Sequence, residues 1–224
     1  MKKYITFLLI ILLMGCALRS YKKRLPADLK DWYYDHKMLM QSKVPTWIDA
    51  RYKRAITEEK HFLTLPSLEL QYKYKSIFWK IRYEGLEGAW YERKEIANRS
   101  FDEGKPGWKT DRGYVFMRFG SPQFANYYRD RSTGRAGDII TSVEGGAFLI
   151  WEYYIRGEIV RYVFKYRPPN AWRFHYGSLY GMTGQRRHHD LFVKIWGPTP
   201  EGWMLWASIL KTMMNNKKGE KNEL

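Results

Sequence analysis

A single cysteine, Cys16, most constrains this chain. It closes an apolar run from Tyr4 to Met14 that is broken only by Thr6 and preceded by Lys2 and Lys3. A basic start, a short apolar stretch and a small residue before the cut form the layout of a secretory signal, with cleavage expected after Gly15. The run is 11 residues long, and a helix needs about 20 apolar residues to cross a bilayer core, so it is too short for a comfortable permanent span. Removal of residues 1–15 leaves 209 of 224 residues with no cysteine besides Cys16. The remainder is expected to form no internal disulfide and no thiolate metal site, so its core must rest on packing alone. That length suits one sizeable domain, or a small domain with extensions.

Leu13-Met14-Gly15-Cys16 resembles the lipobox of bacterial lipoproteins. The resemblance implies that the Cys16 thiol is diacylated as a thioether, that the chain is cut after Gly15, and that the new amine is often acylated. Covalent lipid on Cys16 is then the only bound group expected, with no separate cofactor and no metal. Each buried methylene contributes about 0.8 kcal/mol, so several acyl chains hold far more firmly than one. Ala17 follows the cysteine where an aspartate would signal retention in enterobacteria-like sorting. The expected location is therefore the cell envelope, at the outer membrane facing the periplasm.

Charge and aromatic content bear on partners. The signal removes two lysines and no acidic residue, taking the formal charge from +16 to +14. Ten tryptophans and eighteen tyrosines beside that charge invite a nucleic-acid reading, since aromatics stack on bases and cations neutralise phosphates. Export argues against it. An exported chain meets anionic lipid, lipopolysaccharide, wall polymers and other envelope proteins first, and a basic surface gains around 1 kcal/mol per lysine or arginine near anionic headgroups. The same surplus can also serve solubility alone.

The chain divides by pattern into a signal peptide (1–15), a lipidated basic tether (16–25), a helical extension (26–56), an α+β domain (57–210) and a polar tail (211–224) expected to lack order. Pro26, with Asp28 and Asp31 early in the segment, opens a helix expected to reach Gln41. Thr57 is an expected N-cap, with Glu58 and Glu59 in the first turn. After Pro66-Ser67, Leu70, Tyr74, Ile77, Phe78 and Ile81 recur at helical steps toward Tyr83. A third helix is expected over Ala89 to Glu103, with Trp90, Ala97 and Phe101 on one face. Tyr114 to Phe119, aromatic and β-branched, reads as a strand, and Phe148–Ile155 with Glu158–Tyr166 as a hairpin around Arg156-Gly157. Residues 130–146 read as a long loop. Leu191–Trp196 and Trp203–Leu210 read as a last strand pair across a Gly/Pro-rich turn. Helices first and an antiparallel sheet after make an α+β class, N-terminal helices packed on a small antiparallel sheet.

The most specific string is Gly107-Trp108-Lys109-Thr110-Asp111-Arg112-Gly113. It resembles the signature of the GWxTD domain, a family of exported bacterial proteins. Thr57 to Leu65, Ile77 to Arg82, Tyr91-Glu92-Arg93, Ala97 to Phe101, Val115 to Pro122 and Ile150 to Tyr153 extend the likeness over roughly residues 57–166. Tyr83 to Gly88 departs from the polar string usual there. The resemblance implies no particular activity. On physical grounds Gly107 and Gly113 are expected to adopt backbone angles other residues avoid. Trp108 is expected to plug a seam between helices and sheet. Thr110 and Asp111 would fix a turn before the strand, with Arg112 clamping Asp111 or a helix carboxylate. The alternative makes Thr110, Asp111 and Arg112 a polar site for peptide or glycan.

Catalytic patterns are weak. His188-His189-Asp190 is the one cluster suited to metal or acid–base work, but it lies where an exposed loop is expected and lacks a His-Glu-x-x-His spacing. Glu152 and Glu158 would be the paired carboxylates of a glycan hydrolase across the hairpin, a reading that rests on nothing beyond their presence. No nucleophile elbow or phosphate loop is present. No catalytic residue is therefore assigned. Three functions stay open: a non-catalytic module that binds and scaffolds an envelope protein; a binder or hydrolase of cell-wall glycan or peptide; and an electrostatic contact with anionic lipid or lipopolysaccharide.

Overall fold

A computed structural model describes residues 24–49, 52–129, 146–155, 157–175 and 182–222. The expected signal with Gly15, the lipidation site Cys16, the tether through residue 23 and most of the 130–146 loop lie outside these. The chain forms two compact units, one of residues up to Glu84 together with Val193 onward, the other Gly85–Phe192. The class is α+β, as expected: among the described residues there are seven α-helices, a two-stranded sheet and a four-stranded antiparallel sheet. Among those residues no helix is long and apolar enough to cross a membrane.

The first unit begins with α1 (Ala27–His36), which follows Pro26 and buries Leu29, Tyr33 and His36 at helical spacing. It stops short of the expected Gln41, and tight turns carry the chain on through Leu39 and Met40. β1 (Lys43–Val44) pairs antiparallel with β2 (Ile56–Thr57). Thr57 then caps α2 (Glu58–Leu63), its hydroxyl accepting from the Lys60 N–H at 3.3 Å. Ser67 caps α3 (Leu68–Ile77) in the same way through Leu70. The apolar stripe read from sequence is the buried one, with Leu70, Tyr74, Ile77, Phe78 and Ile81 all in the core. Only the helix end differs, because the chain turns out of the helix after Ile77 while Phe78 and Ile81 still point inward.

A buried ion pair organises this unit. Glu58 and Arg82 have fully buried side chains joined to each other. Arg82 also donates to the carbonyls of Phe78 (2.6 Å) and Trp196 (2.9 Å), and the Tyr74 hydroxyl donates to Glu58 Oε1 at 2.7 Å. Burial, and then the Glu58 charge, hold the Tyr74 phenol protonated far above its ordinary range. Beside this network, the His61 ring spans from Asp49 Oδ2, 3.2 Å from Nδ1, to the Trp206 indole N–H, 2.8 Å from Nε2.

Two strands expected near the C-terminus are helices. α6 (Met182–Trp196) enters this unit at Val193, and α7 (Pro200–Asn222) completes it. Trp203, Trp206 and Leu210 are buried at steps of three and four, a helical period rather than an alternation. The Gly197-to-Gly202 string, read as a hairpin turn, is a helix stop and a helix start. Thr199 accepts from the Gly202 N–H at 2.9 Å, Pro200 takes the first helical position and Glu201 the first turn. Gly202 sits against the backbone of Ile81, where a Cβ would lie 2.0 Å from the carbonyl oxygen. α7 runs on to Asn222 through residues expected to form a polar tail.

In the second unit α4 (Leu86–Ser100) precedes a single 3-10 turn (Gly107–Lys109), α5 (Asp111–Phe119) and the sheet. The sheet order is β3 (Phe124–Arg129), β4 (Ala147–Ile155), β5 (Glu158–Arg167), β6 (Ala171–Phe174), antiparallel throughout. The β4–β5 hairpin is the expected one, with Ile155 opposite Glu158 and Gly157 at φ 82°. β3 and β6 are additions. All six β3 residues are exposed, so the strand shows no apolar alternation, and β6 has only four residues.

Tyr114 to Phe119, expected as a strand, belongs to α5. Its β-forming side chains are overruled by the cap in front and by the burial of Gly113, Val115, Phe116 and Met117. Gly120 ends the helix at φ 76°, its N–H bonded to the Phe116 carbonyl at 2.7 Å.

Losing Arg82 strands a buried carboxylate. Arg82→Met is expected to cost about 3–5 kcal/mol in urea unfolding. Adding Glu58→Gln to it should recover much of that loss, because the unpaired charge is then gone.

Candidate functional site

The heptad is a joint of backbones. Gly107 lies against α4: a Cβ there would stand 1.9 Å from the Ala97 carbonyl oxygen and 2.9 Å from the Asn98 Cα. Gly113 lies in turn against Gly107, its Cβ position 1.9 Å from the Gly107 carbonyl oxygen. Neither glycine has a positive φ. The expected need for unusual backbone angles is thus replaced by a need for close approach. Ala97, the 3-10 turn and the first turn of α5 stack with no side chains between them.

The remaining motif residues lock that stack. Thr110 is fully buried, donating to the Gly107 carbonyl (2.7 Å) and accepting from the Gly113 N–H (3.0 Å), so it caps a helix where a turn before a strand was expected. Trp108 is buried, with Lys94 and Lys109 ammonium groups each 4.9 Å from its ring, and its backbone N–H donates to the Asn98 side-chain oxygen at 3.4 Å. Asp111 Oδ2 accepts from the Phe174 N–H at 2.7 Å and so pins β6 to the start of α5. Arg112 clamps not Asp111 but Glu103, just past α4: Nε lies 3.1 Å and Nη2 3.0 Å from Glu103 Oε1. Arg173 of β6 takes the other oxygen at 3.2 Å. Of the polar motif residues, Thr110 and Arg112 are committed internally, and Asp111 alone borders a cleft.

That cleft, about 430 Å³, runs along α5. Asp111, Tyr114, Val115 and Arg118 form one side, and Phe174 and His189 are among those facing them. Arg118 is its main charge. Nη1 donates to the Tyr114 hydroxyl at 2.6 Å and Nη2 to His189 Nδ1 at 2.7 Å, while the guanidinium lies 4.6 Å from the Phe192 ring centre. Its Nε is buried and meets no acceptor, and no carboxylate pairs with it among the described residues. Burial lowers the Arg118 pKa, yet a guanidinium stays charged at neutral pH.

His188 and His189 lie on α6, not in an exposed loop. His188 is buried, stacked on Phe119 with ring centres 3.4 Å apart, and its Nδ1 is 2.9 Å from the Tyr162 hydroxyl. Burial first, and Arg118 second, push its pKa down to about 3. The same two causes lower His189. Arg118 can only donate, so His189 Nδ1 accepts and a neutral ring carries its proton on Nε2. Among the described residues no three His, Cys, Asp or Glu side chains are grouped as a metal set. Arg118 and Tyr162 were missed in the sequence. Once Thr110 is taken as a cap, the 111, 114, 115 and 118 spacing marks one helix face.

The second unit is therefore an α+β domain in which a glycine-stacked helix pair is fastened to a sheet strand by its own signature residues. Residues 86–134 match the family model described as the GWxTD domain, a stretch holding α4, the 3-10 turn, α5 and β3. No curated protein and no solved structure matches the chain.

Gly113→Ala forces a backbone apart and is expected to destabilise by about 3 kcal/mol, the upper end of ordinary overpacking. Gly88→Ala, in open space on α4, should stabilise by roughly 0.5–1 kcal/mol; urea midpoints compare the two. His188 sets an acid limb. Between its folded value near 3 and its ordinary 6.5 the unfolded chain binds more protons. Stability should thus fall as pH drops through that window, by up to about 1.4 kcal/mol per pH unit. His188→Asn should show a shallower fall in the same titrated unfolding.

Proposed function

We propose that the chain is a lipid-anchored protein of the bacterial envelope whose second unit docks another envelope protein without catalysing a reaction. The lipobox-like Leu13-to-Cys16 string supports the anchor. The observation that carries the docking is β3. It is an edge strand, exposed at all six positions, with Phe124, Tyr127 and Tyr128 at 52%, 58% and 48% exposure. Tyr154 of β4 stands against Phe124 with ring centres 5.8 Å apart, and Tyr127 meets Trp172 at 6.0 Å. Edge strands are usually protected by lysine, proline or a bulge, and Phe-Ala-Asn-Tyr-Tyr-Arg carries neither lysine nor proline. An edge that no other strand pairs among the described residues, lined by aromatics, suits strand addition by a partner, where main-chain bonds supply affinity and aromatic side chains anchor it. The cell-wall reading keeps one supporting feature, the cleft beside Asp111.

Two experiments test this. Cys16→Ser should move the full chain out of the membrane fraction, and continued sedimentation with membranes would reject the lipid anchor. Phe124→Lys with Tyr127→Lys should lower cross-linked partner recovery from solubilised envelope at least about tenfold, as loss of aromatic anchors does. Unchanged recovery, or a chain always recovered alone, would reject the docking strand.

A further inference from the structure

The cleft along α5 suggests a ligand independently of the docking strand. Asp111, Tyr114, Val115 and Arg118 follow the i, i+3, i+4, i+7 spacing of one helix face, and all four border the same cavity. Seven residues at about 1.5 Å rise set the Cα atoms of the two charged residues about 10 Å apart along the axis. At one end Asp111 spends Oδ2 on the Phe174 N–H and has Oδ1 for a donor. At the other, Arg118 is a largely buried cation with no carboxylate among the described residues and a buried Nε–H that meets no acceptor. Buried cations are normally paired, because desolvating a lone charge is expensive. Aromatic rings and neutral hydrogen bonds relieve that cost only in part.

We propose that this cleft binds a short peptide by its two ends, the terminal carboxylate on Arg118 and the terminal ammonium on Asp111. Arginine is the side chain whose fork of donors matches a carboxylate. A neutral His189, with its proton on Nε2, offers a second donor beside it. Extended chain covers at most about 3.3–3.6 Å per residue, so three residues reach about 10 Å, no longer than this stretch of helix face. A volume of about 430 Å³ falls within the range of small-molecule pockets. Phe119, Phe174 and Val115 add apolar wall to the cleft, so the body of the peptide is held by contact and its ends by charge.

Calorimetric titration of the purified full chain with trialanine, trialanine amide and N-acetyl-trialanine tests this. Trialanine should bind, and each blocked peptide should bind about ten- to a hundredfold more weakly, the worth of one charge-assisted hydrogen bond. Arg118→Gln should lose the distinction between acid and amide. Asp111→Asn keeps an acceptor for the Phe174 N–H and should lose the distinction between free and acetylated amine. Near-UV circular dichroism confirms that each variant is folded, and Arg118→Lys, which keeps the charge, should retain part of the acid preference. No binding of trialanine at millimolar concentration, equal binding of all three peptides, or acetate binding as tightly as trialanine would each overturn the proposal. Because Phe124 and Tyr127 do not border this cleft, the β3 double variant should leave trialanine binding unchanged; failure of the docking reading and failure of this one are thus read separately.

Discussion

Everything distinctive in the second unit depends on two carbonyl oxygens sitting where side chains would otherwise be. The Ala97 carbonyl occupies the space of a Gly107 Cβ, and the Gly107 carbonyl that of a Gly113 Cβ. Helices ordinarily pack 8–10 Å apart, at distances their side chains set. Here a helix, a single 3-10 turn and a second helix stack backbone on backbone. Such contact leaves polar groups close-packed, and they must be satisfied locally. Thr110 does this with one hydroxyl, taking the Gly107 carbonyl and the Gly113 amide together. Asp111 and the Glu103–Arg112–Arg173 cluster then carry the joint across to β6.

The first unit solves a related problem with charge. It has no disulfide to help it, since the chain's one cysteine is Cys16. Its centre nonetheless holds Glu58, Arg82, His61, Tyr74 and Trp206, almost wholly withdrawn from water. A buried pair of this kind contributes little net stability compared with apolar residues of the same shape, but it penalises any packing that separates the partners. Arg82 reaches a carboxylate and two carbonyls that lie far apart in sequence, so it joins the start of α2, the end of α3 and the end of α6 at one point.

What the sequence made legible was local. The N-cap at Thr57, the stripe from Leu70 to Ile81 and the β4–β5 hairpin follow from signals spanning a few residues. The misreadings share a cause. In Tyr114 to Phe119 and in Leu191 to Leu210, aromatic and β-branched side chains suggested strands, whereas in the structure Thr110 and Thr199 cap helices. Cap geometry prevailed because it satisfies amides that would otherwise be orphaned, whereas β propensity mostly reflects the surface a residue meets. β3 gave no signal because neither of its faces is buried. The cleft was hidden for another reason. Arg118 becomes a site residue only when α5 is a helix and α6 brings His189 to it, a juxtaposition of positions 71 residues apart.

α5 has two opposite faces with separate duties. Gly113, Phe116 and Met117 turn toward the buried side; Asp111, Tyr114 and Arg118, about half a turn away, border the cleft. Val115 serves both, being buried and bordering the cleft, and Asp111 ties the cleft to β6; elsewhere substitution on one face leaves the other nearly untouched. In this chain the glycine stack and the face from Tyr114 to Arg118 are thus separable by substitution.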